Sequence, residues 1–420
     1  MTTTGYDESP TLRPEETIPD RWIILVAPNV SGQMGGEAIK SLQIFQDLKN
    51  LNPNVIQITH GRNVAEAERL KLNSVYFVHD DFIMICLWRS VVGRWLLDYW
   101  FMRQAIRLAH RLVPEDHIGD VIIHQTGPNS PVLPRSLSNK YINVIGPING
   151  NIYYPEYFRK FESLRTRTRR VFHLHIQRLN RFLPRGLKAA QQILVAGGDR
   201  TSSSLRAAGC RRTILKATLD CGVKDQILAR PRITHRTPNL RFVHFGRLVF
   251  QKGTALAIRS LTKTHMPVHL DVIGRGPELS ECQRLVRAHG LQDRVNFLDW
   301  HDHDELLDIL ANYRGMILPS IEDSNGIVVQ EAMALGLPPI CLDWGGPALL
   351  IEHGRTGFLI PPHDEEQIIS QLAESLDTLA GNCGLAEDIS IRARQTAENW
   401  RWSSLSRAWL DGYPSAKAAV

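Results

Sequence analysis

The feature that most constrains this chain is a regular alternation of short apolar runs with stretches of helical periodicity. In the first half, five runs predict strands: Trp22–Ala27, Val55–Thr59, Ser74–Val78, Val121–Ile123 and Tyr141–Ile145. Strands that alternate with helices build a parallel sheet covered by helices on both faces. The segment Leu228–Asn239, which contains Pro231 and Pro238, interrupts this alternation and is typical of a linker.

After this linker the alternation starts again. Five further runs predict strands: Leu240–Phe245, Val268–Ile273, Val295–Leu298, Gly315–Leu318 and Pro339–Leu342. Two successive units predict an α/β fold with two Rossmann-like, doubly wound domains facing a central cleft. We assign residues 1–230 to the first domain and 231–399 to the second. We expect a helix over about 400–420 to pack back on the first domain through Trp400 and Trp402, which could equally belong to the core of the second.

Composition argues against several classes of protein. The chain of 420 residues is 43% apolar and 22% charged, as soluble globular proteins are. Six scattered cysteines without a Cys-x-x-Cys pair indicate thiols in a reducing compartment. Residues 1–20 lack the apolar core of a secretory signal. The apolar stretch Phe82–Phe101 contains Arg89, Arg94 and Asp98, so we predict a cytoplasmic protein in which this stretch does not span a membrane.

Two loops after predicted strands of the second domain place glycines next to cations. The first contains Gly246, Arg247 and Lys252. Arg247 can hold phosphate oxygens with two parallel hydrogen bonds, and Lys252 can act as a point charge. The second contains Arg275 and Gly276, in a turn whose glycines allow a ligand to approach the backbone closely. Each loop alone is also compatible with an ordinary solvated strand end.

The segment Pro319–Gly336 predicts a strand end, a loop with a carboxylate and a helix that begins near Gly326. Free amide groups and the helix dipole favour an anion at such a helix start. We therefore predict that phosphate groups bind at Asn325, Gly326, Ile327 and Val328. Glu331 lies about one turn further along, where it can reach a ribose. A carboxylate among apolar neighbours is costly to bury unless it has a partner.

Together these motifs resemble the donor domain of GT-B-fold glycosyltransferases, in particular retaining family 4. The resemblance rests on six segments: Gly246–Lys252, Gly274–Pro277, Leu291–Leu298, Pro319–Gly336, Gly345–Gly346 and Gly354–Leu359. It implies transfer of a sugar from a nucleotide-sugar to an acceptor with retention of anomeric configuration. It also implies that no metal or other cofactor is needed, and that Arg247 and Lys252 stabilise the leaving diphosphate.

The family's Glu-x7-Glu pair falls on Asp323 and Glu331. The resemblance assigns Glu331 to the ribose and Asp323 to hydroxyls of the donor sugar. Asp323 is one methylene shorter than the family's glutamate, and the neighbouring Glu322 is an alternative carboxylate outside the register. Leu349 stands where the family has a glutamate three residues after its Gly-Gly pair.

In the first domain the resemblance is looser. Gly35 and Gly36 occupy the place of a glycine-rich loop that approaches the donor, although the spacing is not that of a dinucleotide fingerprint. His124, at the end of a predicted strand, resembles an active-site histidine of many relatives, but a single histidine there can equally be structural. We interpret the cluster His301–Glu305 as a helix start with Asp302 in a capping box and not as a metal site.

Residues 151–190 hold ten Lys or Arg and two Glu, a balance of +8, so the rest of the chain sums to −2 and the whole chain to +6. Within Phe158–Arg185 an apolar stripe of helical spacing comprises Phe161, Leu164, Phe172, Ile176, Leu179 and Leu183. Such a basic amphipathic helix is typical of an anionic membrane surface, and the stretch Trp88–Trp100 offers aromatic groups for the same interface. This predicts peripheral membrane docking and a lipid-linked acceptor in surface polysaccharide or glycolipid synthesis. The alternative is a surface helix packed on the first domain with its arginines in water.

Two other functions fit parts of the pattern. A GT-B nucleotide-sugar epimerase shares the fold and the donor chemistry but needs no acceptor. A nucleic-acid-binding protein could use the arginines of residues 159–185. No recognition module accompanies these arginines, and we therefore expect no nucleic-acid partner.

Overall fold

The computed structural model describes residues 21–34, 36–90, 93–113 and 120–415. Its first sheet consists of parallel strands: β1 (Ile23–Val26), β2 (Val55–His60), β3 (Val75–Val78), β4 (Ile122–Gln125), β5 (Ile142–Ile148), β6 (Gln192–Val195) and β7 (Leu215–Ala217). Their order across the sheet is β3-β2-β1-β4-β5-β6-β7. The strand order therefore reverses between β1 and β4, at the position where ligands bind in doubly wound folds.

The second sheet is also parallel. Its strands are β8 (Arg241–Phe245), β9 (His269–Ile273), β10 (Val295–Leu298), β11 (Gly315–Leu318), β12 (Pro339–Leu342) and β13 (Phe358–Ile360). They lie in the order β10-β9-β8-β11-β12-β13, with the reversal between β8 and β11. Two parallel sheets with intervening helices confirm the predicted α/β fold of two Rossmann-like domains.

Helices follow the strands in both halves. In the first half they are α1 (Gly36–Leu51), α2 (Val64–Arg69), α3 (Phe82–Arg89), α4 (Arg94–Leu112), α5 (Leu164–Asn180), α6 (Gly198–Ala207) and α7 (Asp225–Leu228). In the second half they are α8 (Thr254–Ser260), α9 (Leu279–Ala288), α10 (His303–Ile309), α11 (Ile327–Leu335), α12 (Pro347–Leu350), α13 (Glu365–Gly381), α14 (Cys383–Glu398) and α15 (Trp402–Asp411). Among the described residues, none of these helices is long and apolar enough to cross a membrane.

The chain crosses between the two sheets near its end. α15 packs against α1, and Trp402 and Trp409 are buried in a core cluster with strand residues of the first sheet. Trp400 packs instead on a core cluster of the second sheet. The two tryptophans that the sequence pairs as anchors therefore serve different cores.

A second crossing occurs after β5. Tyr154 and Phe158 belong to the core cluster of the second sheet, although they precede the linker by some seventy positions in the printed sequence. The indole of Trp344 donates a hydrogen bond to the carbonyl of Tyr153 (2.9 Å). This segment therefore fastens the first half of the chain onto the second beside the cleft.

Candidate active site

Lys252 and Asp323 meet at the carboxyl edge of the second sheet. Lys252 ends a 3₁₀ turn (Phe250–Lys252) after β8, and the amide of Ile321 donates to the carbonyl of Gln251 (2.9 Å), which joins this turn to the loop after β11. The Lys252 ammonium lies 2.6 Å from Oδ2 of Asp323, and both side chains are largely buried. The structure thus brings together two of the predicted catalytic residues as an ion pair.

Gly253, directly after Lys252, makes this approach possible. Its φ is +68°, and a Cβ there would lie 2.1 Å from the carbonyl oxygen of Pro319. A side chain at this position would push the Lys252 turn away from β11. The glycine therefore has a packing reason that sequence reasoning did not identify.

Asp323 also fixes the start of α11. Its Oδ1 accepts hydrogen bonds from the amides of Asn325 (3.2 Å) and Gly326 (2.8 Å). The predicted free amide at Gly326 is therefore already occupied, which is a correction. The amides of Ile327 and Val328 have no acceptor among the described residues, as expected for the first positions of a helix. Of the four predicted positions, the helix start therefore keeps amide donors for an anion at Ile327 and Val328, and not at Asn325 and Gly326.

The side chain of Glu331 is 14% exposed, and it has a hydrogen-bond partner that the sequence did not reveal. Its Oε1 lies 2.9 Å from Nε2 of His303, at the start of α10. This hydrogen bond raises the pKa of the His303 imidazole above its usual value. Asp302 is the residue that precedes α10, but its side chain makes no capping hydrogen bond, so the capping-box interpretation is wrong. Within this cluster, His303 is the residue that contacts the candidate site, through Glu331.

The other two predicted cations, Arg247 and Arg275, are exposed and differ in their partners. Arg247 is exposed, and within the described ranges it pairs with no carboxylate. Arg275 forms a two-pronged ion pair with Asp299, with Nη2 at 2.6 Å from Oδ2. A Cβ on Gly276 would lie 2.1 Å from the carbonyl oxygen of Leu248, so this glycine allows two loops to pack backbone to backbone. Of the two arginines, Arg247 is the one available to a ligand.

Glu322 differs from its neighbour Asp323 in having no hydrogen-bond partner in the described part of the chain. Burial raises the pKa of its carboxyl group, although the charges of Arg169 and Lys252 oppose this shift. Asp323 has both oxygens occupied, whereas Glu322 is free to accept a hydroxyl group. The structure therefore keeps Glu322 as the alternative carboxylate.

His124 does not face the cleft, which corrects the prediction of an active-site role. Its side chain is 0% exposed, with Nδ1 at 2.7 Å from the hydroxyl of Tyr413 and Nε2 at 2.7 Å from the carbonyl oxygen of Gly146. Burial lowers its pKa to about 4, so the ring is neutral. His124 links β4 to β5 and to Tyr413, the residue that follows α15 closely. This is the structural role that the sequence left open as the alternative.

For the glycine-rich loop of the first domain, the structure describes the surroundings of Gly36 but not of Gly35. Gly36 begins α1, and a Cβ on it would meet nothing within 4 Å. Gly35 lies outside the described residues. The close approach predicted for these glycines therefore stays a prediction.

Two residues that sequence reasoning missed connect the domains at the carboxylate loop. The Asn149 side-chain amide donates to the carbonyl of Ser324 (2.7 Å), and Arg200 donates to the same carbonyl (3.2 Å) and to Oδ1 of Asn149 (2.6 Å). Asn149 follows β5 and Arg200 lies in the first turn of α6. The only signal in the sequence was their position just after strand-like residues.

Known proteins resemble this chain in the sequence of its second half. Residues 225–396 match the family of glycosyl transferases group 1. The chain is 28% identical over 200 residues to the GtfA subunit of the UDP-N-acetylglucosamine–peptide N-acetylglucosaminyltransferase of Streptococcus gordonii, covering 46% of this chain and 38% of that protein. The first curated relatives are matched over about a quarter to a half of their length.

Solved structures match nearly the whole chain. Anabaena Alr3699/HepE in complex with UDP superimposes with a TM-score of 0.65 at 16% identity, covering 93% of this chain and 98% of that one. The apo lipopolysaccharide outer core galactosyltransferase WaaB gives 0.65 at 17% identity, covering 92% and 97%. The chain therefore has the GT-B fold, and residues 225–396 resemble the group 1 glycosyl transferases. The predicted resemblance to GT-B glycosyltransferases is confirmed, while membership of family 4 stays a prediction.

Proposed function

We propose that this protein transfers a sugar from a nucleoside-diphosphate sugar to an acceptor. The observation that carries the proposal is Lys252 beside the start of α11. The Lys252 ammonium group and the amides of Ile327 and Val328 are available to a leaving diphosphate at this helix start, and we assign the exposed guanidinium of Arg247 to the same diphosphate. Preorganised donors of this kind stabilise a transition state strongly. Glu331, held by His303, is placed one turn along α11 to accept hydrogen bonds from the ribose.

The donor is best sought first among uridine nucleotides, because the Anabaena structure contains UDP. Side chains supply the positive charge in this proposal, and no metal takes part. Asp323 is committed to Lys252 and to two amides, which leaves it poorly suited to attack the sugar as a nucleophile. Its role is to position Lys252 and the start of α11. When Lys252 turns towards the phosphate, Asp323 can accept a hydrogen bond from a hydroxyl group of the sugar being transferred.

The proposed reaction retains anomeric configuration and proceeds on one face of the sugar. The bond from the anomeric carbon to the diphosphate oxygen breaks as the bond to the acceptor oxygen forms. The acceptor proton passes to the leaving diphosphate oxygen, so no separate base is required. His124 cannot serve as that base because it is buried away from the cleft.

We further propose that the protein works at the cytoplasmic face of a membrane on a lipid-linked acceptor, in surface polysaccharide or glycolipid synthesis. The exposed apolar residues of α5 and of the turn after it support this docking, since Leu164 is 78% and Phe182 is 77% exposed. The relative WaaB acts on the lipopolysaccharide outer core, as its name states.

α5 is attached to the body of the protein through polar side chains. Gln177 donates to the carbonyl of Pro131 (2.7 Å) and Asn180 to that of Val132 (2.8 Å). The predicted stripe is therefore not the face that packs on the first domain: Leu164, Phe172 and Leu179 are exposed. An exposed apolar face beside arginines is typical of a helix that binds an anionic lipid surface. It is not expected of a helix that packs its apolar face on the protein and leaves its arginines in water.

A second group of exposed apolar residues lies on α3, which packs against α4. Phe82 is 80% exposed and Trp88 is 57% exposed, with the guanidinium of Arg94 over the Trp88 ring. α4 connects the two regions, because the hydroxyl of Tyr99 lies 3.5 Å from the carbonyl oxygen of Pro184 in the turn after α5. We call these exposed residues of α3, α5 and the turn at Phe182 the basic apolar face.

A panel of UDP-, GDP- and ADP-sugars tests the proposed donor chemistry. We expect nucleoside diphosphate release from one nucleotide class, increased by a crude lipid extract that supplies acceptor. Release from no member of the panel would contradict the proposal. Conversion of the nucleotide-sugar into its epimer without any acceptor would identify an epimerase instead.

A further inference from the structure

A pocket of about 440 Å³ lies beside the carboxylate loop, between the two halves of the chain. Its apolar and aromatic wall is formed by Ile152, Tyr153, Tyr154, Trp344 and Leu349. Leu349 is the position where the sequence departs from the family's glutamate. The hydroxyl of Tyr153 has no hydrogen-bond partner among the described residues. The wall therefore offers flat apolar surfaces for a sugar ring.

Arg200 lines the same pocket and forms no ion pair with a carboxylate of the described residues. Within the described ranges its guanidinium donates to neutral oxygens, those of Gly150 (3.2 Å), Asn149 and Ser324. Asp220 acts on it electrostatically but is already paired with Lys40 at 2.8 Å. Burial lowers the pKa of Arg200. A largely buried cation with neutral partners favours an anionic ligand, because that ligand would restore the missing charge.

Two further arginines border the pocket. Arg170 is paired with the buried carboxylate of Glu162 at 2.9 Å and is a fixed part of the wall. Arg159 has only a long contact of 3.7 Å with the exposed Glu156, which leaves its guanidinium available. Asp199 is the one carboxylate among the described lining residues. Because Glu162 neutralises Arg170, the remaining lining charges are those of Arg159, Arg200 and Asp199, which leave the pocket with a positive balance.

The start of α6 also favours an anion in this pocket. Gly197 precedes this ten-residue helix and has no side chain to cap its first amides. Gly197, Asp199 and Arg200 all line the pocket. The helix dipole and the free amides at this helix start therefore favour an anionic ligand, as the arginines do.

We propose that this pocket binds an anionic group of the acceptor, a phosphate or diphosphate attached to a sugar, with the sugar against Trp344 and Leu349. This inference rests on the proposed sugar transfer. The pocket adjoins the reacting centre, because the amide of Gly346 donates to the carbonyl of Asp323 (2.7 Å). α5, which carries Arg170, also carries part of the basic apolar face. A lipid-linked glycosyl phosphate can therefore reach the pocket along this helix from a membrane.

Calorimetry with α-D-glucose 1-phosphate as the probe and glucose as the uncharged control tests this site. We expect the wild type to bind glucose 1-phosphate and not glucose. Arg159→Gln should weaken binding by about tenfold or more, since one hydrogen bond to a charged group is lost. Leu349→Trp should abolish it by filling the pocket. Arg211→Gln, which removes an exposed arginine elsewhere in the same half, should change nothing.

Lys252→Ala separates this site from the donor site. It should bind glucose 1-phosphate as the wild type does, because Lys252 does not line the pocket. Loss of binding in Lys252→Ala would place the phosphate in the donor site and overturn the proposal. Absence of binding to the wild type at millimolar concentration, or normal binding to both pocket variants, would overturn it as well. The nucleotide-sugar panel reports independently on the proposed function.

Discussion

Replacing Lys252 by alanine should lower turnover by ~100-fold or more, as does the loss of one preorganised electrostatic contact at a developing oxyanion. The Lys252 ammonium lies 2.6 Å from Oδ2 of Asp323, whose Oδ1 accepts the Gly326 amide directly before α11. Without the ammonium group, the leaving diphosphate loses a largely buried counter-charge at this helix start. The measurement is kcat from nucleoside diphosphate release at saturating donor.

Two comparisons make this result specific to the site. Lys263→Ala removes a lysine of the same domain that pairs with Glu366 on the surface, and it should leave kcat unchanged. Glu331→Gln should act mainly on nucleotide affinity, because Glu331 is assigned to the ribose. A folded Lys252→Ala variant with nearly normal kcat would remove Lys252 from the mechanism. Circular dichroism establishes that each variant is folded.

Removing three arginines from the basic apolar face should release the protein from anionic vesicles. Arg165, Arg167 and Arg178 are exposed on α5 and do not line the acceptor pocket. Each basic residue near an anionic surface contributes ~1 kcal/mol, so changing all three to serine should weaken binding ~100-fold. The measurement is co-sedimentation with phosphatidylcholine vesicles, with and without phosphatidylglycerol, at physiological salt.

The matched control changes Arg206, Arg211 and Arg212 to serine, three exposed arginines of the same half, with the same loss of net charge. This variant should still bind vesicles. A second variant, Phe172→Ser with Phe182→Ser, tests the apolar contribution and should also bind more weakly. If the wild type ignores anionic vesicles, or if both arginine variants bind equally, the docking surface is wrong and a soluble acceptor is favoured.

The sequence predicts the fold well where apolar runs are sustained. The strands at Ile23–Val26 and Gly315–Leu318 are fully buried, and continuous apolar runs are what a buried parallel strand requires. Three strands of the described ranges were not predicted: β6, β7 and β13. β7 and β13 have only three residues each, and β7 is largely exposed. Pairing with a neighbouring strand, which local sequence cannot reveal, defines such short edge elements.

The candidate site was predictable where its residues follow neighbouring strands of one sheet. Lys252 and Asp323 follow strands that are neighbours in the sheet, so their meeting follows from topology. His303 and Arg200 were not predictable, because each meets its partner through tertiary packing: His303 with Glu331, and Arg200 with Ser324. His124 shows the converse limit. Its strand-end position suggested the cleft, but the last turn of the chain covers it through Tyr413.

The same limit applies to α5. Helical periodicity identified its apolar stripe, yet periodicity does not show which face meets the protein. Gln177 and Asn180 make the contacts that bind this helix to the body, and they are polar residues that a hydrophobic pattern leaves out. The outward direction of the apolar residues is therefore information that only the structure provides.

Nuclear magnetic resonance of the isolated product tests the central claim most directly. The enzyme is incubated with the nucleotide-sugar selected from the panel and with lipid extract, and the anomeric coupling of the transferred sugar is measured. The account predicts a new glycosidic bond to an acceptor in which the anomeric configuration equals that of the donor. An inverted anomeric centre would contradict the one-face reaction, and a product without a glycosidic bond to an acceptor would contradict sugar transfer itself.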